Sequence, residues 1–364
     1  MLFFSLLLSP LTISAQKEKK QKQEAQAEVK EQIIIPNEVK VALQEGLAQR
    51  QGRLDIPFSF IKHLYLPAQL NLHSVFFFKM KNVDLGFVPQ AFALVEQKTE
   101  EEAAAEEEQK KETPPASETE VPPVLLQASL NVFLQFHRLE EKKPLEAFKE
   151  VYIPIKLQVE STSYDPEKEE IYSTSYPLPP GDYLLAMAVT SLNLQKIGTL
   201  YYEFSLPDMN AFTDKLEITP LFSVKNFIQM DAPETTAEVH KNFFTYSVLQ
   251  IEPKIDNIFS QGESLDVLFY VFGAQPNEEG NWDIAVNYEI FKEEERVIRF
   301  EDISYPSPLI SQPLPMKRTF AIKSEEGEKK ERKDLDPGQY TLSIEIKDNV
   351  TGKALDKKFD FEIK

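Results

Sequence analysis

The chain has 364 residues but no cysteine, one tryptophan, four histidines and only 11 glycines. Each shortage removes a class of chemistry. Without cysteine there is no disulfide, no thiolate metal centre and no cysteine nucleophile. The histidines stand alone at positions 63, 73, 137 and 240. None forms the helical i, i+4 pair or the His-Glu-x-x-His arrangement of a zinc site. His63 and His73 are placed to face each other across a hairpin, yet two imidazoles make an incomplete metal site. A Gly-x-Ser-x-Gly elbow, a Walker loop and a glycine-rich dinucleotide turn are all missing. No catalytic residue, metal ligand or cofactor is therefore expected. The 59 acidic residues can always supply a glycosidase-like carboxylate pair, but a solvated acidic surface accounts for them better.

Positive charge is also short. Forty basic residues against 59 acidic ones leave a net charge of −19, which opposes binding to nucleic acid or to an anionic membrane surface. No apolar run reaches the roughly 20 residues of a membrane span. Leu2 to Ala15 is apolar and ends in Thr12-Ile13-Ser14-Ala15, with charge beginning at Lys17. That pattern reads as a secretory signal over residues 1–15, without the usual basic start and without a following lipid-anchoring cysteine. An exported chain lacking cysteine suits a bacterial envelope, secreted or periplasmic. No transmembrane helix is expected beyond this segment.

What is abundant points to strands. Phenylalanine (26) and proline (25) are frequent, which favours sheet and stiff loops over helix. One six-residue pattern occurs twice, as Leu178-Pro179-Pro180-Gly181-Asp182-Tyr183 and Leu335-Asp336-Pro337-Gly338-Gln339-Tyr340. The copies lie 157 positions apart (335 − 178) and stay in step without a gap to the chain end. Pro-Gly marks a tight turn, and the alternating apolar residues behind it mark a strand. A tyrosine at the mouth of such a strand suits a tyrosine corner, with its ring in a sandwich core and its hydroxyl bonded to nearby backbone. Pro180, Gly181, Tyr183, Pro337, Gly338 and Tyr340 are thus read as a structural corner motif, present twice.

The expected fold is all-β, with two tandem immunoglobulin-like sandwiches over 53–208 and 216–364. A charged spacer (16–36) and a short helix (37–50), capped by Asn37, precede them. Between Glu96 and Glu120 there are ten Glu and three Lys, so 96–123 is read as an acidic insertion between strands. Pro154 marks an edge strand, and Ser304 to Pro315, with four prolines, is not expected to form a central strand. Leu265 to Phe272 is apolar on both faces, as for a central strand packed on each side or for one with a covered outer face. Ser324 to Lys333 reads as a charged loop.

Leu335-x-Pro337-Gly338-x-Tyr340 followed by Asp348-x-x-Thr351-Gly352-Lys353 resembles the C-terminal β-domain of exported bacterial proteins that carry a GWxTD motif. Phe259-x-x-Gly262-Glu263-x-Leu265-x-Val267-x-Phe269 is similar to the middle strand of those domains. Arg53-Leu54-Asp55-Ile56-Pro57 resembles the start of the β-region that trails von Willebrand factor A-like modules. The namesake motif is missing, since the single tryptophan sits in Gly280-Asn281-Trp282-Asp283. The Asp-x-Ser-x-Ser metal motif is missing too, because Asp302-Ile303-Ser304-Tyr305-Pro306 breaks at its last position. The resemblance implies architecture and compartment, and accessory β-domains without a namesake module.

The functional expectation is a non-catalytic exported interaction or scaffold protein that binds an envelope or secreted protein through loop tips or an unpaired sheet edge. The alternative is a carbohydrate-binding module of the cell envelope, with a polysaccharide ligand and at least two exposed aromatics in line. The loop Asn277, Glu278, Glu279, Gly280, Asn281, Trp282 and Asp283 combines oxygen donors with an aromatic ring. It is read either as a calcium or sugar loop or as an acidic turn whose Trp282 enters the core. Asn349-Val350-Thr351 matches a glycosylation sequon by pattern only.

Overall fold

The computed structural model describes residues 35–90, 124–324 and 327–364. The expected signal segment, most of the charged spacer and the acidic insertion lie outside the described residues. No helix among the described residues is long and apolar enough to cross a membrane. The fold is all-β, built of largely antiparallel sheets, with one 11-residue α-helix among the described residues.

Among the described residues, four larger sheets and one two-stranded ribbon form, the four following from the alternating patterns. Sheet I orders β1 (Phe58–Ala68), β2 (Asn71–Lys81), β6 (Glu169–Leu178) and β11 (Val239–Lys241). Sheet II is β4 (Leu125–Glu140), β7 (Gly181–Ser191) and β8 (Ile197–Leu206), with β5 (Lys143–Glu160) and the two-residue β3 (Val88–Pro89) also on β4. In sheet III, β12 (Phe244–Tyr246), β13 (Leu249–Lys254), β10 (Phe222–Gln229), β15 (Ser264–Phe272) and β19 (Leu309–Pro315) lie side by side, with β9 (Glu217–Ile218) on β15. Sheet IV runs β14 (Ile258–Phe259), β23 (Ala354–Ile363), β22 (Gly338–Asp348), β16 (Ile284–Lys292), β17 (Glu295–Arg299), and β18 (Ile303–Tyr305) joins β16.

Three cores glue these sheets into a stack ordered II–I–III–IV. Sheets II and I enclose the first, where Val132, Leu134, Phe136, Leu185 and Met187 meet Phe76, Phe78 and Tyr172. Sheets III and IV enclose the second, with Leu265, Val267 and Phe269 against Tyr288, Ile344 and Phe361. The third lies between the backs of sheets I and III. There Leu64, Leu66, Val75 and Phe77 pack on Phe222, Val224, Phe244, Ile251 and Leu268. Strands β2 and β15 are central in adjacent layers, so both their faces are buried, and both read as unbroken apolar runs.

The expected edge at Pro154 is an edge, and Ser304 to Pro315 supplies no central strand. Among the described residues, β5, with Pro154, pairs only with β4, and β19, with Pro313 and Pro315, pairs only with β15. A proline lacks the amide that a second neighbour needs. β3 and β4, which bracket the acidic segment, pair with each other at Val88–Gln127.

Three local expectations change. Asn37 is the first residue of the helix α1 (Asn37–Leu47), whose amides at Val39 and Lys40 bond back to the Pro36 carbonyl; no side chain caps it. The helix lies on β7 and β8, where Tyr201 donates to the Leu43 carbonyl at 2.6 Å. The charged loop is instead a hairpin, β20 (Lys317–Ser324) with β21 (Gly327–Asp334). The second strand of this ribbon carries no apolar residue, so no alternation signals it in the sequence. Finally, the polar stretch 231–242 carries β11, which joins sheet I by pairing with β6. A segment of the expected second domain thus completes a sheet of the first.

Phe77 is fully buried in the core between sheets I and III. Phe77→Ala is expected to cost about 3–5 kcal/mol. Urea unfolding followed by circular dichroism checks it; a cost under about 1 kcal/mol would show that this interface carries little of the stability.

Candidate functional site

The two corner motifs fold alike. The Tyr183 hydroxyl donates to the Pro179 carbonyl at 2.8 Å, and the Tyr340 hydroxyl to the Asp336 carbonyl at 2.6 Å. Each ring stacks on the residue facing it across the next strand. Tyr183 meets Phe204 at 5.4 Å, and Tyr340 meets Phe361 at 5.6 Å, both at 19°. Cations cap both rings, Arg138 at 5.5 Å and Lys292 at 5.3 Å. Gly181 and Gly338 enter these strands at φ 146° and 148°, a backbone that side-chain-bearing residues rarely adopt. Pro180 and Pro337 fix the preceding residue of each turn. Burial pushes the Tyr183 phenol up, so the hydroxyl stays protonated and keeps donating. These residues are structural: they lock the last hairpin of each sheet pair.

The loop at 277–283 turns its oxygen donors on itself. The Asn277 side-chain carbonyl accepts from the amides of Glu279 and Asn281 at 3.0 and 2.9 Å. Trp282 is half-buried against the second core. The Asp283 carboxylate accepts from the Ser304 hydroxyl (2.7 Å) and the Asn349 amide (3.1 Å), which pull its pKa down. Glu278 and Glu279 are exposed at the tip. The arrangement is that of an acidic turn tied to the sheet ends.

The histidines do not gather. His63 shares a face with the first core, where its ring stacks on Phe76 at 4.8 Å and meets Phe204 edge-on at 4.7 Å. His73 points to the other side of sheet I, where Nε2 lies 2.9 Å from the Thr245 carbonyl. Its neighbours Leu66 and Tyr246 belong to the third core. His137 Nδ1 meets the Leu145 carbonyl, and His240 Nε2 meets Glu234. Burial lowers the pKa of His73, opposed by the Thr245 carbonyl and the Glu234 charge. His63 has no such relief: its Nε2 is buried without a partner, and burial drives its pKa to about 3.

Two openings flank the contact between sheets I and III. One, of about 600 Å3, is lined by Tyr65, Ser205, Glu217, Leu221, Lys357 and Phe359. Burial pushes the Glu217 carboxyl up, but the Lys357 ammonium at 2.6 Å and the Ile218 amide outweigh it and hold the pKa low. A general acid needs the opposite shift. The other opening, of about 500 Å3, is an apolar groove of Phe60, Ile61, Phe77, Ile171 and Ile255, with Lys225 at its rim.

Beside this groove the edge of β10 opens. β10 pairs with β15 only at Phe222 and Ser223, then follows β13 alone through Gln229. A bulge between Val224 and Asn226 turns the strand away from β15. Among the described residues, no strand pairs with the other edge of Lys225–Gln229. Phe227 and Ile228 there are 37% and 48% exposed. Sequence reading missed this edge, because Leu221 to Met230 looks like an ordinary first strand.

An in-line aromatic pair for sugar stacking is not formed by the most exposed rings. Phe148 and Tyr152 share β5, but the register shift opposite Phe136 and His137 skips Phe148, whose ring lies under Arg138 and beside Tyr183. Tyr152 stacks on Phe133 at 5.1 Å on the outer face.

No known family model matches the chain, and no characterised protein matches it either.

Tyr340→Phe removes one buried hydrogen bond and is expected to cost about 1 kcal/mol, read as a lowered urea midpoint with an unchanged slope. His63→Phe tests the imidazole. An unfolded histidine titrates near 6.5, whereas His63 titrates at about 3 in the fold. The unfolded chain therefore takes up the proton first. Its contribution to stability is whole above about pH 6.5 and drains toward pH 3, at about 1.4 kcal/mol per pH unit. The variant should lose less stability than the parent over that window; parallel pH profiles would refute the assignment.

Proposed function

We propose that the chain is a non-catalytic, exported interaction module that binds a protein partner of the bacterial envelope. Two immunoglobulin-like sandwiches, fused back to back, hold the open edge of β10, which receives an extended segment of the partner. The observation carrying this reading is the unpaired edge of Lys225–Gln229 with Phe227 and Ile228 exposed on its two faces. An incoming strand gains backbone hydrogen bonds at about 1 kcal/mol net each, and burial of the two side chains adds roughly 2 kcal/mol apiece. After the cost of association, affinity falls in the micromolar range or weaker. The acidic chain directs this edge toward partners that are not themselves strongly acidic. Its cysteine-free composition and apolar Leu2 to Ala15 support export.

A photoreactive residue placed at position 228 in intact cells tests this. One recurrent protein adduct is expected from position 228, absent from a control at Val350 on the far turn, and lost when Asn226→Pro bends the edge. Equal adducts from both positions, or none above background, would sink the edge as the binding site.

A further inference from the structure

The chain between β10 and β12 leaves sheet III, adds β11 to sheet I, and returns. On this crossing Glu234, Glu238 and His240 bring one ligand atom each within 4.8 Å of one another. We propose that these three residues bind a divalent transition-metal cation of the zinc class.

The donor set is held from the protein side. His240 sits in β11, paired with Ser173, and its ring stacks on Phe243 at 4.6 Å. The side chain is only 9% exposed, with Nε2 turned to Glu234 Oε2 at 3.0 Å. Glu234 Oε2 in turn accepts from the Thr245 hydroxyl at 2.7 Å. Such an outer hydrogen bond orients a carboxylate ligand and tunes its basicity. Donors bound to one zinc at about 2.0–2.1 Å stand roughly 3.3 Å apart in a tetrahedron. The Nε2–Oε2 pair already has about this spacing. Glu238 needs to approach by about 1.5 Å at most (4.8 − 3.3), and its side chain is exposed.

Charge points the same way. Two carboxylates this close repel each other, yet neither has a lysine or arginine partner among the described residues. The adjacent Lys241 is turned away, to Glu170 at 3.1 Å. A divalent ion would neutralise the pair. Imidazole nitrogen favours zinc, cobalt or nickel over calcium and magnesium, which prefer all-oxygen shells. The metal takes the place of the proton shared between His240 and Glu234, and water completes its shell. Closing the 234–240 segment on the ion would clip sheet I to the strand that leaves sheet III.

Zinc titration of the full chain by calorimetry, with cobalt absorption as a second readout, decides the matter. One saturable equivalent is expected, weakened roughly tenfold or more in Glu238→Gln and in His240→Gln, with magnesium unable to compete. Glu238 is exposed, so its variant should unfold as the parent does. Binding that is unchanged in both variants would place the ion on other acidic residues and overturn the site. So would displacement by magnesium at equal concentration, or no saturable binding at all.

Discussion

Burial of both faces of β2 and β15 is the constraint from which the rest of the architecture follows. A single sandwich buries one face of each sheet and leaves the other in water. Here Phe76 and Phe78 fill one core while Val75 and Phe77 fill another, and Leu268 does the same opposite the Leu265–Val267–Phe269 face. Neither sheet pair can stand alone without exposing a continuous apolar surface, so the two pairs stack as four layers. The crossing strand β11 then follows naturally: with the sheets fixed back to back, chain leaving one is within reach of the edge of the other.

Rigidity at the centre sets where binding is possible. The hairpins that end each sheet pair are locked by the tyrosine corners, whose stacked rings and cation caps repeat across the two copies. The loop at 277–283 is tied down by its own asparagine turn and by Asp283. By contrast, β10 leaves its neighbour β15 after two residues, and its exposed half lies beside the apolar groove between sheets I and III. An open ladder next to an apolar groove is the geometry that strand addition uses, since backbone supplies hydrogen bonds and the groove admits side chains.

The crossing also concentrates chemistry that the sheets lack. Strand faces in this protein are either packed or solvated, so their histidines are dispersed: His63 in a core, His73 and His137 against carbonyls. Among the described residues, it is where irregular chain folds back on β11 that an imidazole and two carboxylates meet. Elsewhere the displaced carboxyl groups, Glu217 and Asp283, are held low by a lysine and by hydroxyl and amide donors. That is the pattern of ion pairs and turn anchors rather than of acid–base catalysis.

Local chemistry was legible without coordinates. Period-two alternation, Pro-Gly turns and the spacing of the tyrosines determine the strands, the two corners and the proline edges, because each depends on residues adjacent along one or two strands. The two-faced apolar run at Leu265–Phe272 even announced that something covers the second face. What covers it was decided only in three dimensions, since the third core joins residues about 200 positions apart, such as Phe77 and Leu268. The same holds for the β10 edge and for the Glu234–Glu238–His240 cluster. A strand shows its alternation in sequence, but whether its edge is paired, and which polar side chains a crossing brings together, depends on partners that no local pattern encodes.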